Sequence, residues 1–296
     1  MQSTRRDVLS TLGRAASVAS VVSVTGCLGS RAGESPTVSV LAAGSLARAV
    51  EERLRPEVET HHPDLDVDLT TEFRGSAVCA RLVRDGLRDP DVLALADPAL
   101  FDGITRRYTA FATNELVVAY DPTTPGGRAV RDADRAFDPL LDRSLRWGRT
   151  DPDADPLGYR TLFALSLAER RWGRPYPRAL APNQVFPEAE LLPVFETGEL
   201  DAAVVYRNMA VDHDVSFRSL PPAIHLGAPA HADTYAHESY ELPDGTVVHG
   251  TPIRYGAVTR RSAPSVDAVF DTLVDTGWMG DAFGVPASYP REESVE

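Results

Sequence analysis

Lysine is absent from this chain of 296 residues. All 30 basic side chains are arginine, set against 43 Asp and Glu, for a formal net charge of −13. That balance argues against a nucleic-acid partner, because no basic patch stands out to neutralise phosphates. Cysteine is scarce as well: only Cys27 and Cys79 occur. Long apolar runs are missing, and the weakly apolar stretch Ala15–Val24 falls well short of the ~20 residues needed to cross a bilayer. What is present suits a packed globular protein. Hydrophobic residues make up 43% and charged residues 25%, enough for one large domain or two ordinary ones.

The first residues, MQSTRRDVLSTLGRAASVASVVSVTGC, pair Arg5-Arg6 with that short apolar stretch and end in Val24-Thr25-Gly26-Cys27. This reads as a twin-arginine-type secretion signal over 1–27, with a lipobox-like Cys27 as the site of lipid attachment. Cys79 is then alone, and the mature chain has no internal disulfide. Residues 28–35, LGSRAGES, are small and polar and form a tether between anchor and domain.

From Thr37 onward strand and helix patterns alternate. TVSVLAAG is a strand, followed by a helix marked by Leu46, Val50 and Leu54. LDVDL (65–69) is a half-exposed strand, followed by a helix through Val78, Leu82 and Val83. Asp91–Ala96 and Asn114–Tyr120 are further strands, and DPTTPGG after the second reads as a loop. A helix around Leu191, Leu192 and Phe195 precedes the strand DAAVVY. A late strand near Thr251–Thr259 and a helix around Val266–Val274 close the chain. Such alternation predicts an α/β protein with mostly parallel sheets.

The stretch GRTDPDADPLGYR (148–160) places Asp151, Asp153 and Asp155 at alternate positions, as a calcium loop does. A calcium loop also needs Gly at its sixth position and a bidentate Glu at its twelfth. Here Pro156 and Leu162 stand there, and the match fails. Asp155 instead reads as the N-cap of a helix opening at Pro156, with Leu162, Leu165, Ala168 and Trp172 on its apolar face. Gly44-Ser45 and Gly75-Ser76 each follow a strand and open a helix, where each serine is a plausible N-cap. A fourth helix begins near Pro187-Glu188. Several helix N-termini at the carboxyl ends of strands make a receptor for a small dianion.

Together these segments resemble a known family. LAAGSL (41–46), EFRGSAVCARLV (72–83), PDVLALADPAL (90–100), FATNELVVAYDP (111–122), GRTDPDADPLGYRTLFALSLAE (148–169), ETGELDAAVVYRNMAVDHDVSF (196–217) and TPIRYGAV (251–258) resemble the archaeal-type substrate-binding protein of the tungstate/molybdate ABC transporter, in the same order. The resemblance implies a two-lobed class II periplasmic-binding-protein fold, each lobe a mostly parallel sheet flanked by helices, with two hinge strands near Asn114 and Thr251. Lobe 1 would be 36–114 plus 252–296, and lobe 2 would be 115–251. It implies no catalysis and no cofactor, with molybdate or tungstate as ligand. The partners would be a permease and its ATPase, and the protein a monomer lipid-anchored at the outer face of the membrane. Ser45, Ser76, the Leu157 amide and Tyr206 would contact the oxyanion, and Asp155 would lie against its metal; Glu188 joins them from its own place at the fourth helix start, not from the resemblance. The family's second carboxylate is expected just before the tyrosine, where this chain has Val205. The stretch DAAVVY is more like bacterial members that hold a tetrahedral anion by hydrogen bonds alone. That leaves Asp155 to bind the metal alone, to cap its helix, or to accept a proton from a ligand such as hydrogen phosphate.

An acidic chain without lysine is also typical of salt-loving organisms, and at molar salt screening acts over ~3 Å. Selection for an anion must then come from groups inside the site. Arg160 is expected either to approach the anion or to pair with a nearby carboxylate such as Asp153. Two alternatives remain at this level. One is a receptor for another oxyanion, phosphate or sulfate. The other is an extracellular metal-dependent hydrolase with ligands among Asp151, Asp153, Asp155 and the segment His231, Asp233, His237 and Glu238. No G-x-S-x-G elbow surrounds either serine, which argues against a serine hydrolase.

Overall fold

A computed structural model describes residues 35–295. The leader, Cys27 and all but the last residue of the tether lie outside the described residues. Among the described residues no helix is long and apolar enough to cross a membrane.

Two sheets organise the chain. The first has β1 (Thr37–Ala43), β2 (Asp68–Arg74), β3 (Val92–Leu95), β4 (Arg107–Thr113), β12 (Arg254–Thr259) and β13 (Arg291–Ser294), in the order β13-β4-β12-β3-β1-β2. The second has β5 (Leu116–Tyr120), β6 (Trp147–Thr150), β7 (Val185–Phe186), β8 (Ala202–Tyr206) and β9 (Phe217–Ser219), in the order β7-β6-β8-β5-β9. A hairpin of β10 (Ser239–Glu241) and β11 (Val247–His249) stands apart. Only Asn114 and Glu115 separate the last strand of the first sheet's early part from the first strand of the second.

The sheets are mixed rather than mostly parallel. β1 is parallel to β2 and β3, but β12 runs antiparallel to both β3 and β4, and β13 antiparallel to β4. In the second sheet β6 is parallel to β7 and β8, while β5 is antiparallel to β8 and β9. The reason is connectivity. Parallel neighbours need a crossover helix; β5 arrives instead straight from the first sheet, and β12 returns to it after the separate hairpin.

β3 is buried along its whole length, which explains its unbroken apolar run VLAL. α1 (Ala47–Ala49) and α2 (Arg55–His61), joined through a π-helical stretch Val50–Leu54, bury Val50, Leu54 and Val58. α3 (Ser76–Arg84) buries Cys79, a free thiol, and Ala80. The strand expected at Leu65–Leu69 begins only at Asp68, because Thr37 of β1 pairs there. The expected loop DPTTPGG instead opens α4 (Pro125–Asp132), with Thr124 Oγ1 accepting from the Gly127 amide and Pro125 in the first turn. Proline at a helix start is preorganised rather than disruptive.

α5 (Pro156–Trp172) begins where expected and ends at Gly173, whose φ of 67° terminates it. Its buried face is wider than the expected stripe: Tyr159, Arg160, Phe163, Ala164 and Leu167 are buried, whereas Leu162 and Trp172 are half-buried. α6 (Glu188–Glu196), α7 (Arg207–Asp212), α8 (Ala232–Tyr235) and α9 (Pro264–Val274) complete the helices, and α9 packs on the first sheet.

Candidate anion-binding site

Four helix starts abut one another. A Cβ added to Gly75, just before α3, would lie 2.4 Å from the Ala154 carbonyl oxygen and 2.5 Å from the Asp155 Cβ. One added to Gly44, just after β1, would lie 3.0 Å from both Cβ and Oε2 of Glu188. The Val78 amide in α3 donates to the Ala154 carbonyl at 3.2 Å. Glycine is needed at Gly75, where the Ala154 carbonyl comes too close for any side chain, and at Gly44 a Cβ would press on Glu188.

Neither serine is an N-cap. α3 is preceded by Gly75, with Ser76 as its first residue, and the short 3-10 turn Gly44–Leu46 is preceded by Ala43; neither start has a side-chain cap. Both hydroxyls are buried and held by other donors. Ser45 Oγ accepts from the Tyr255 hydroxyl at 3.0 Å, and Ser76 Oγ from the Ala96 amide at 3.0 Å. Tyr206, at the end of β8, is fully buried, and its oxygen accepts from Arg160 Nη1 at 2.8 Å. Each of the three hydroxyls thus already accepts one bond, and its own proton is left to donate.

Opposite these donors stand two carboxylates. Asp155 caps α5 as expected: its Oδ1 accepts from the Gly158 amide at 3.0 Å and from Thr150 Oγ1 at 2.8 Å. Its Oδ2 is buried without a partner, as are both carboxylate oxygens of Glu188, the first residue of α6. Burial pushes the Asp155 carboxyl up to about 7, aided by the charge of Asp151, against the bonds from Thr150 and Gly158 and the pull of the Leu157 amide. Burial also raises Glu188 well above the usual carboxylate range, and the charge of Asp155 adds to it. The donors of Gly44 and Ser45 pull the other way without reaching hydrogen-bonding geometry. An isolated buried charge is costly, so without a partner both carboxyls hold their protons, and to ionise they need a cationic centre beside them.

Val205 is buried within β8 opposite Val117 and offers nothing to a ligand. The second carboxylate comes from α6, as Glu188. The sequence places Glu188 at a helix start converging with that of Asp155, but not as the second carboxylate, which is expected there beside Tyr206.

Arg160 does not pair with Asp153, whose carboxylate accepts from the Tyr240 hydroxyl. Arg160 is fully buried and reaches Asp97 Oδ2 at 2.9 Å and the Ala96 carbonyl at 2.7 Å. The sequence does not single out Asn208 and Tyr255, and it marks Asn114 only as a crossing between the lobes. Asn114 Nδ2 donates to Asn208 Oδ1 at 2.7 Å and to the Tyr255 hydroxyl at 3.2 Å, and Tyr255 holds Ser45. The segment His231, Asp233, His237 and Glu238 does not form a metal centre. Glu238 pairs with Arg170, and among the described residues no three His, Cys, Asp or Glu side chains are grouped to hold a metal ion.

Residues 38–269 match the family model described as bacterial extracellular solute-binding protein. A putative ABC transporter molybdenum-binding protein of Haloferax volcanii is 48% identical, over 98% of this chain and 94% of its own length. The molybdate/tungstate-binding protein of Pyrococcus abyssi is 27% identical, over 87% of this chain and 86% of its own. Among solved structures, the sulfate-binding protein SubI of Mycobacterium tuberculosis superposes with a TM-score of 0.55 at 14% identity, covering 86% of this chain and 88% of that one. With two sheets joined directly through Asn114 and Glu115 and buried helix starts meeting beside them, this chain belongs to the extracellular solute-binding protein family.

Proposed function

We propose that the protein is the substrate-binding component of an ABC importer and captures molybdate or tungstate between two lobes, 36–114 plus 252–296 and 115–251. The observation that carries this reading is the pairing of Asp155 and Glu188, with three buried oxygens unpartnered, against three hydroxyls preset as donors. Donors alone would suit any tetrahedral dianion. Two ionised carboxylates would repel one, unless its central atom accepts further oxygen ligands. Molybdenum(VI) and tungsten(VI) expand from four oxygens to six, whereas sulfur in sulfate and phosphorus in phosphate do not.

In this reading Asp155 and Glu188 each give an oxygen to the metal of the anion. Ser45, Ser76, Tyr206 and the Leu157 amide donate to its oxo groups. The protein binds without catalysis and without a cofactor. It acts as a monomer outside the cell, is exported by the twin-arginine route, is held to the membrane by lipid on Cys27, and delivers its cargo to a permease with its ATPase. The homologous names support the ligand class.

Calorimetric titration of the lipid-free domain with tungstate, molybdate, sulfate and phosphate tests the proposal. Tight binding of the two metal oxyanions alone is expected. Preference for sulfate or phosphate would overturn it.

A further inference from the structure

Arg160 is a fully buried cation that no anion ligand role requires, and all its contacts lie on elements that flank the site. It projects from α5 beside the second sheet, and its main acceptors, Ala96 and Asp97, directly follow β3 of the first. Nη2 lies 2.9 Å from Asp97 Oδ2, with both side chains almost wholly buried. Nη1 donates to the Ala96 carbonyl at 2.7 Å and to the Tyr206 hydroxyl at 2.8 Å. Asp97 Oδ2 also accepts from the Tyr159 hydroxyl at 2.7 Å, and its Oδ1 from the Ala99 amide at 3.1 Å. The Ala96 amide, on the next peptide, donates to Ser76 Oγ at 3.0 Å.

We infer that Arg160 and Asp97 form a clamp across the cleft that ties together two of the anion's hydroxyl donors, each preset within its own lobe: Tyr206, held by Arg160 itself, and Ser76, held by the Ala96 amide. Arg160 is a positioning residue, not an anion ligand. The inference rests on the proposed capture by closure. Its physical basis is the near balance of a buried ion pair. Forming the pair strips water from both ions, so it does little to shut an empty protein. Once closed, loss of either partner leaves the other charge buried and alone, and closure is then strongly opposed. The clamp should therefore act on release rather than on encounter, because encounter happens with the cleft open. It should also be insensitive to salt, since buried pairs are screened much less than exposed ones.

The test uses the lipid-free domain, with tungstate as probe, in stopped-flow fluorescence and calorimetry at several salt concentrations. Asp97→Asn keeps the side-chain volume and the oxygen that accepts from Ala99. It is expected to raise the off-rate roughly 10²- to 10³-fold, with the on-rate within about threefold and the melting temperature of the unliganded domain nearly unchanged. A merely structural role would lower that melting temperature and leave the off-rate of the folded fraction alone. Arg160→Gln should behave as Asp97→Asn, and the double variant should fall well short of the product of the two. Should Asp97→Asn not fold, Tyr159→Phe carries the test, with an off-rate raised about tenfold or more. Wild-type tungstate binding with an unchanged off-rate in the variants would overturn the clamp and leave the proposed function standing. Failure of the wild type to bind tungstate or molybdate would overturn both.

Discussion

Asn208 Nδ2 donates to the main-chain carbonyl of Ser45 at 2.7 Å. The donor lies on α7, beside the second sheet, and the acceptor on the turn that follows β1 of the first. Asn208 Oδ1 is held by Asn114, at the point where the chain passes between the sheets, and Asn114 also holds Tyr255, which in turn holds Ser45. Asn208, Asn114 and Tyr255 thus close a ring through Ser45, whose hydroxyl is proposed to meet the anion.

That ring predicts a modest, specific loss in Tyr255→Phe. The Ser45 hydroxyl would lose the donor that fixes its direction, at a cost of about 0.5–1.5 kcal/mol. Calorimetry should show tungstate affinity falling roughly two- to twelvefold. An unchanged affinity would mean that Ser45 needs no such orientation.

Gly75→Ala should act by steric exclusion. Its Cβ would lie 2.4 Å from a main-chain carbonyl oxygen that cannot swing away. The unliganded domain should fold normally, yet tungstate should no longer draw the two lobes together. Small-angle scattering with and without tungstate checks this, and normal compaction in the variant would count against it.

The empty protein should open as pH rises. Asp155, raised to about 7, and Glu188, raised further by burial and by Asp155, hold their protons more tightly in the closed form than in water. For acids with raised values, the closed form binds more protons, so its stability is full at low pH and is lost as pH rises through about 7. Scattering should find the unliganded domain more compact at pH 5 than at pH 8. In Asp155→Asn combined with Glu188→Gln the difference should vanish.

Much of this was legible in the sequence, for identifiable reasons. The Asp155 cap and α5 were written in local order, as were the buried strands β1, β3, β5 and β8. Ser45, Ser76 and Glu188 could be placed at element starts for the same reason. The supporting contacts could not be read. Asn114 meets Asn208 across 94 positions and Tyr255 across 141, and Tyr255 meets Ser45 across 210. β13, with sequence REES, carries no apolar alternation because it is an exposed edge strand paired to β4 through the backbone. Glu188 shows the same limit most sharply. Its helix start was evident, but its nearness to Asp155 follows from Thr150 of β6 and Phe186 of β7, far apart in the chain, lying side by side in the second sheet.

X-ray absorption at the molybdenum K edge of the molybdate-loaded domain tests the central claim most directly. Carboxylate oxygens from Asp155 and Glu188 should make the metal six-coordinate in the wild type, with the weakened pre-edge feature of a non-tetrahedral centre. Glu188→Gln should return the bound anion to four-coordination or abolish binding. A tetrahedral molybdate spectrum in the wild-type complex would contradict the account, because the two buried carboxylates would then face the anion with no metal to share.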